Sequence, residues 1–229
     1  MLDFSIIVPC YRDDEKLLQL LTRLRQFSIQ SMEIIVVDAA DSQCCAEICD
    51  RFQAKRIAGK PNRGQQLLDG AVQAQGDVLW FLHADAQLAD DAVTAMTAAI
   101  ASGAIGGYFR FRFAAPRARP AWFLEQAIAL RCRFGVPYGD QGIFIARAAY
   151  RQTGGHAPWP LFEEVPLVRA ARRLGKFVPL VTPIFVDARR WHRDGWWRRT
   201  WKNRLLALRF MCGASPHRLA ARYRSKIRA

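Results

Sequence analysis

No run of roughly twenty uninterrupted apolar residues, the length needed to cross a bilayer, occurs in this 229-residue chain. Nor does it open on a charged segment followed by an apolar one, since Met1 to Asp3 leads straight into a short strand-like run; a cytoplasmic protein is expected. Cysteine is sparse: Cys10, Cys44, Cys45, Cys49, Cys132 and Cys212 form no CxxC pair and no dense disulfide framework, which fits a reducing compartment. The Cys44, Cys45, Cys49 cluster lacks the second half of a thiolate site and is read as free thiols that pack as small apolar groups. Glycine-rich phosphate loops of the GxGxxG and GxxxxGKS/T types are missing, which argues against nucleotide enzymes built on them. Repeats and low-complexity linkers are also missing, and with 51% hydrophobic residues the chain can bury one substantial core.

Acids are few, 20 against 34 Lys and Arg, and the resulting charge of +14 is uneven. Residues 189–229 hold 13 Lys and Arg against one acid, Asp194, so that only about +2 is left for the first 188. The basicity is local, and its explanation has to be local too.

What is present reads as alternating strands and helices. Phe4-Ser-Ile-Ile-Val-Pro9 is an apolar β-branched run, and Leu17, Leu18, Leu21 and Leu24 then recur at helical spacing. Glu33 to Asp38 is a second strand, Ala46 to Phe52 a helix, Lys55 to Ala58 a short third strand, Gln65 to Ala74 a helix, and Asp77 to His83 a buried strand. An alanine-rich helix from Asp90 to Ala101 follows, then a period-two strand from Gly106 to Phe113. Pro116 and Pro120 break the chain before a helix from Ala121 to Arg133; Gly142 to Ala146 is a strand, and Glu163 and Glu164 open a helix to Leu174. Continuous apolar strands between helices predict an α/β fold with a mostly parallel central sheet covered on both faces. Such sheets bind ligands beyond the carboxyl ends of their strands, where Asp13, Asp38 and Asp85 fall.

The ordered set Ser5-Ile-Ile-Val-Pro-Cys-Tyr11, Val36-Val-Asp38, Arg63-Gly-Gln-Gln66, His83-Ala-Asp85, Gly106-Gly107, Gly139-Asp-Gln141, Gly154-Gly155, Glu163-Glu164 and Ala188-Arg-Arg-Trp191 resembles glycosyltransferase family 2. It looks closest to a small bacterial subgroup reading HAD, YGDQ and ARRW in this order. The resemblance implies a GT-A type nucleotide-sugar-binding fold, with residues 1–188 as the catalytic domain and 189–229 as a basic, amphipathic helical extension of it. It also implies inverting transfer of a sugar, a hexose by expectation, from a UDP- or GDP-sugar, assisted by Mg²⁺ or Mn²⁺.

Within that resemblance, His83-Ala-Asp85 takes the place of the family's DxD motif. Asp85 offers the hard oxygen ligand such ions prefer and His83 is a second candidate ligand; the rival readings are a helix cap for Asp85 and a packed ring for His83. Pro9, Tyr11 and Asp38 are expected at the nucleoside, with an ordinary Asx turn as the alternative for Asp38. Arg63 and Gln66, at the start of a helix, are expected to face the donor, as are Ala84 and Asp85; a solvated arginine is the alternative for Arg63. Glu164 stands where the family has its general base, Asp140 is the rival base or an acceptor-site residue, and a helix N-terminal preference is the bland account of Glu163 and Glu164. Arg190 and Trp191 are expected on the diphosphate.

Beyond them Trp196, Trp197 and Trp201 interleave with Arg198, Arg199, Lys202 and Arg204. That composition suits either a peripheral helix on an anionic membrane surface, with a lipid-linked acceptor, or a lid packing its tryptophans on the domain. A nucleic-acid- or membrane-binding protein on an inactive scaffold is the rival function, although nucleic acid is not the expected partner because the acids at the strand ends would then have no purpose.

Overall fold

The computed structural model describes residues 2–27, 31–114 and 119–225; Pro116 of the sequence reading lies outside them, as do the side chains of residues 190 and 223–225. β1 (Phe4–Cys10), α1 (Asp14–Arg25), β2 (Met32–Asp38), α2 (Gln43–Arg51), β3 (Lys55–Ala58), α3 (Arg63–Gln73) and β4 (Val78–Phe81) alternate as expected. There follow β5 (Gln87–Leu88), α4 (Ala92–Ala101), β6 (Gly106–Phe113), α5 (Arg119–Phe134), a single turn at Gly139–Gln141, β7 (Phe144–Ala146), α6 (Arg147–Thr153), α7 (Glu164–Leu174) and β8 (Phe177–Val186). Three helices end the chain: α8 (Arg189–Asp194), α9 (Trp196–Met211) and α10 (Pro216–Ser225). None is long and apolar enough to cross a membrane.

The strands form one sheet in the order β3-β2-β1-β4-β7-β6-β8-β5. Six run in one direction; β7 and β5 are antiparallel to their neighbours. Residues 6 and 8 of β1 enter one apolar layer with α1 and α2, while Ile7 enters the opposite layer with α3 and α7, which is why these strands are apolar throughout rather than alternating. The fold is therefore the mostly parallel α/β sheet that the pattern predicted.

β5 and α6 have no counterpart in the sequence reading, and α5 and β8 differ from it as well. Pro120 sits inside the first turn of α5 rather than ahead of it, a position where the missing N–H has no helical acceptor to lose. β8 was not foreseen, because Pro179 and Pro183 interrupt its pattern; they pair opposite Tyr108 and Arg110, where the ladder to β6 shifts register, and bulges are where strands accept proline.

Candidate active site

In register, Cys10 lies beside Asp38 and Ile7 beside Phe81, so the loops after β1, β2 and β4 emerge together at one rim. Pro9 is half-buried there and Tyr11 is exposed at the mouth, with the Arg12 guanidinium 5.4 Å from its ring centre. Asp38 does not reach outward. Its Oδ1 accepts the Ala40 N–H and its Oδ2 the Ser42 N–H, both at 2.9 Å, and Arg56 Nη1 donates to Oδ2 at 2.9 Å. The structure shows the Asx turn that was the alternative reading of Asp38, locked by a cation, with the side chain fully covered. Gln66 is likewise buried, its Nε2 donating to the carbonyls of Cys10 (3.1 Å) and Val37 (2.8 Å); it ties α3 to the two strand ends.

The N-terminus of α3, which carries Arg63 and Gln66, is engaged within the protein. Asn62 caps it by accepting the Gln65 N–H, and the Gly64 N–H donates to Trp159 O at 2.9 Å. A Cβ on Gly64 would stand 2.1 Å from Ala157 O, so only glycine admits this backbone contact. Arg63 is thereby carried against Glu163. Its Nε and Nη2 donate to the two oxygens of the Glu163 carboxylate, the latter at 3.1 Å, in a bidentate pair whose acid is fully covered.

Around this pair gather groups that the protein itself leaves unpartnered. Among the described residues, His83 Nε2, Asp140 Oδ1, Glu164 Oε2 and Arg131 Nε are buried without a hydrogen-bond partner. His83 Nε2 lies 3.0 Å, and Glu163 Oε1 3.8 Å, from where a Cβ on Gly139 would stand, so the absent side chain is what lets imidazole and carboxylate share this space. Buried polar atoms ordinarily find partners, and several orphans in one place mark a site shaped for something else.

The electrostatics separate these groups. Burial, and then the Arg63 charge, hold His83 below its ordinary value and keep the imidazole neutral. Against burial, Arg63 holds Glu163 low and ionised. Burial, and then the charge of Glu163, push Glu164 up to about 8. Two adjacent carboxyls, one ionised and one protonated at neutral pH, are the usual sign of divided roles. Asp85, half-buried two residues beyond His83, adds a further acid and borders a groove shared with Lys16, Gln19 and Arg23 of α1. Ala84 is covered.

A neutral imidazole with a free Nε2 beside the Asp85 carboxylate fits a divalent cation as a donor pair. Arg190 lies in α8, but its side chain is outside the described residues. Trp191 packs edge-on against Phe113, 5.0 Å between ring centres, with the Arg199 guanidinium 5.0 Å from its ring. Sequence reasoning did not single out Arg56 or Arg131. It also missed His156, a buried ring against Phe81 and Tyr150 that burial lowers to about 4. Only pairings that fold across the chain could have found them.

Residues 5–151 match the family model described as "Glycosyl transferase family 2", a span that includes His83, Asp85 and Asp140 and stops short of α7. No curated protein matches the chain. Among solved structures, glucosyl-3-phosphoglycerate synthase from Mycobacterium tuberculosis, in complex with Mn²⁺, UDP and glucosyl-3-phosphoglycerate, is 16% identical at a TM-score of 0.58 over 78% of this chain and 70% of that one. TarS of S. aureus is 15% identical at 0.65 over 81% and 36%. The mannosyltransferase PcManGT from Pyrobaculum calidifontis, in complex with GDP-Man and Mn²⁺, is 14% identical at 0.60 over 79% and 58%. The chain thus spans little more than a third of TarS and well under two thirds of the mannosyltransferase; at these identities the likeness is one of fold.

Glu164 makes a pH dependence measurable. Its folded value lies above the ordinary 4.5, so its contribution to stability is complete below 4.5 and is lost as pH rises through about 8. Glu164→Gln, neutral at every pH, is expected to gain stability over the wild type as pH rises toward about 8.5 and to lose that advantage near pH 5, read as melting temperatures across the range. A stability difference independent of pH would show that Glu164 is ionised in the folded protein.

Proposed function

The chain belongs to glycosyl transferase family 2, and from that premise we propose that it transfers a hexosyl group, with inversion, from a UDP- or GDP-sugar to an acceptor hydroxyl. The observation that carries this reading is the group of unpartnered buried atoms of His83, Asp140 and Glu164 around the Arg63–Glu163 pair, at the carboxyl rim of the sheet. The motifs HAD, YGDQ and ARRW, with Glu164 between the second and the third, support a place in the bacterial subgroup that carries them.

Asp85 and His83 would hold Mg²⁺ or Mn²⁺, which supplies charge to neutralise the departing diphosphate. Tyr11 and Pro9 form the wall for the base, and Asp38, Gln66 and Arg63 act by fixing the loops around it. Ala84 offers its backbone to the donor, and Arg190 and Trp191 close over the diphosphate. Glu164 takes the acceptor's proton as the acceptor oxygen bonds to the anomeric carbon and the nucleoside diphosphate leaves. A base whose value lies near working pH combines an available ionised form with a strong pull on the proton. Asp140 is the alternative base, with an oxygen in the same space.

The tail points to where the acceptor resides. Trp191 and Trp196 pack on Phe113 as a lid would, while Phe210 stacks on Phe162. By contrast Trp197, Trp201, Leu205, Leu208 and Met211 are exposed at helical spacing along α9, Trp201 by 69%, with Arg198, Lys202, Arg204 and Arg209 exposed between them. An apolar stripe flanked by cations suits an anionic lipid surface, where each basic residue contributes about 1 kcal/mol. We assign this face to such a surface and the acceptor to a lipid-linked or membrane-borne hydroxyl.

Calorimetric titration of a nucleotide-sugar panel tests the first claim: one donor binds with Mn²⁺ or Mg²⁺ present, and chelation or Asp85→Ala abolishes the heat. Binding of no donor under any condition would sink the assignment. For the second, co-sedimentation with anionic but not neutral vesicles is expected, weakened on the order of tenfold per residue by Trp197→Ala and Trp201→Ala. Equal binding to duplex DNA at physiological salt, insensitive to those substitutions, would favour the nucleic-acid reading instead.

A further inference from the structure

Behind the donor rim lies a second cluster that sugar transfer does not use. One ligand atom each from Cys10 at the end of β1, Asp14 at the start of α1 and Cys45 in the first turn of α2 lies within 4.8 Å of the others. The thiols of Cys10 and Cys45 are buried together, and Cys49 lies one turn on in α2. All of these cysteines are free and buried.

We infer that Cys10, Cys45 and Asp14, with water as the fourth ligand, form a metal site for Zn²⁺, separate from the cation site of the cleft. Packing alone accounts for three buried thiols, but it does not account for Asp14. The Oδ2 of Asp14 accepts the Ser42 hydroxyl at 2.8 Å, and its Oδ1 is buried with no partner. An unpaired carboxylate oxygen beside thiols is costly unless a cation joins them. Tetrahedral Zn²⁺ with bonds of about 2.3 Å to sulfur needs ligand atoms roughly 3.8 Å apart, so the cluster closes by side-chain adjustment of about 1 Å.

Neighbouring thiols and burial hold Cys10 and Cys45 above the ordinary thiol value, so their protons leave only to a bound cation, and two features assist that exchange. Cys45 is the third residue of α2, where the helix N-terminus favours negative charge, and its N–H is held by Ser42 Oγ at 3.2 Å. The Ser42 hydroxyl also fixes Asp14, the outer-shell support that metal ligands characteristically have. Thiolates do not suit Mg²⁺ or Mn²⁺, which prefer oxygen, so the donor set itself separates this site from Asp85. On binding, each coordinating thiol gives its proton to solvent, and affinity rises with pH. The Cys44, Cys45, Cys49 run lacks a second half in the sequence; β1 and α1 provide it. Because Ser42 also donates its N–H to Asp38, a filled site braces the loop at residues 39–42 from behind.

The test uses the full chain, reduced and metal-stripped, in an Asp85→Ala background so that the cleft contributes no cation site. Titration with Co²⁺ is expected to give one equivalent with thiolate-to-metal charge-transfer absorption, and Zn²⁺, competed against a chromophoric chelator, to displace it. Cys45→Ser should abolish that absorption and Asp14→Asn should weaken binding at least tenfold, while Cys44→Ser, at an exposed neighbour, leaves both unchanged. Absence of the charge-transfer band in the folded parent, or its persistence in Cys45→Ser, overturns the site. If Cys45→Ser does not fold, Asp14→Asn decides, and unchanged affinity there overturns it equally. None of these outcomes depends on whether the protein transfers sugar.

Discussion

A carboxylate without exposed surface stays ionised only when something replaces the water it has lost, and for Glu163 that is the fork of Arg63. The contact joins residues 100 apart in sequence, the first residue of α3 and the residue just ahead of α7. It requires the backbone at residues 157–159 to lie on Gly64, which is why a side chain there has no room. Burial and then the charge of Glu163 drive its neighbour Glu164 to the neutral form, and burial together with the cation that settles Glu163 keeps His83 uncharged. Removing either partner of such a pair strands the other at a cost of about 3–5 kcal/mol, so the site's polarity and the closure of this side of the fold stand on one interaction.

The same arrangement accounts for which parts of the site could be read from the sequence. Continuous apolar strands fixed the parallel sheet, and the parallel sheet fixed the rim, so His83, Asp85 and the pair at residues 163 and 164 came out of strand ends and a helix start. Legibility stopped where a side chain's partner lies far along the chain. Asp38 and Gln66 occupy the right rim, yet their polar atoms are bound to backbone groups and Arg56, which no spacing reveals. Arg131 was indistinguishable from a solvated helix charge. β8 was hidden because proline speaks against strand unless the register irregularity is already known.

The basic tail divides along one helix. One face of it packs, through Trp196 on β6 and Phe210 on Phe162, while another shows Trp197, Trp201, Leu205, Leu208 and Met211 to solvent. The lid reading accounts for the packed face of α9, and the proposed surface contact draws on the exposed one.

The most direct test of this account is the rate at which nucleoside diphosphate is released from whichever donor binds, with water as the acceptor, compared between wild type and Glu164→Gln. With Glu164 as the base, the variant should bind donor as tightly as the wild type and lose roughly 10²–10⁴ in rate. Wild-type turnover in Glu164→Gln would contradict it and transfer the proton's destination to Asp140.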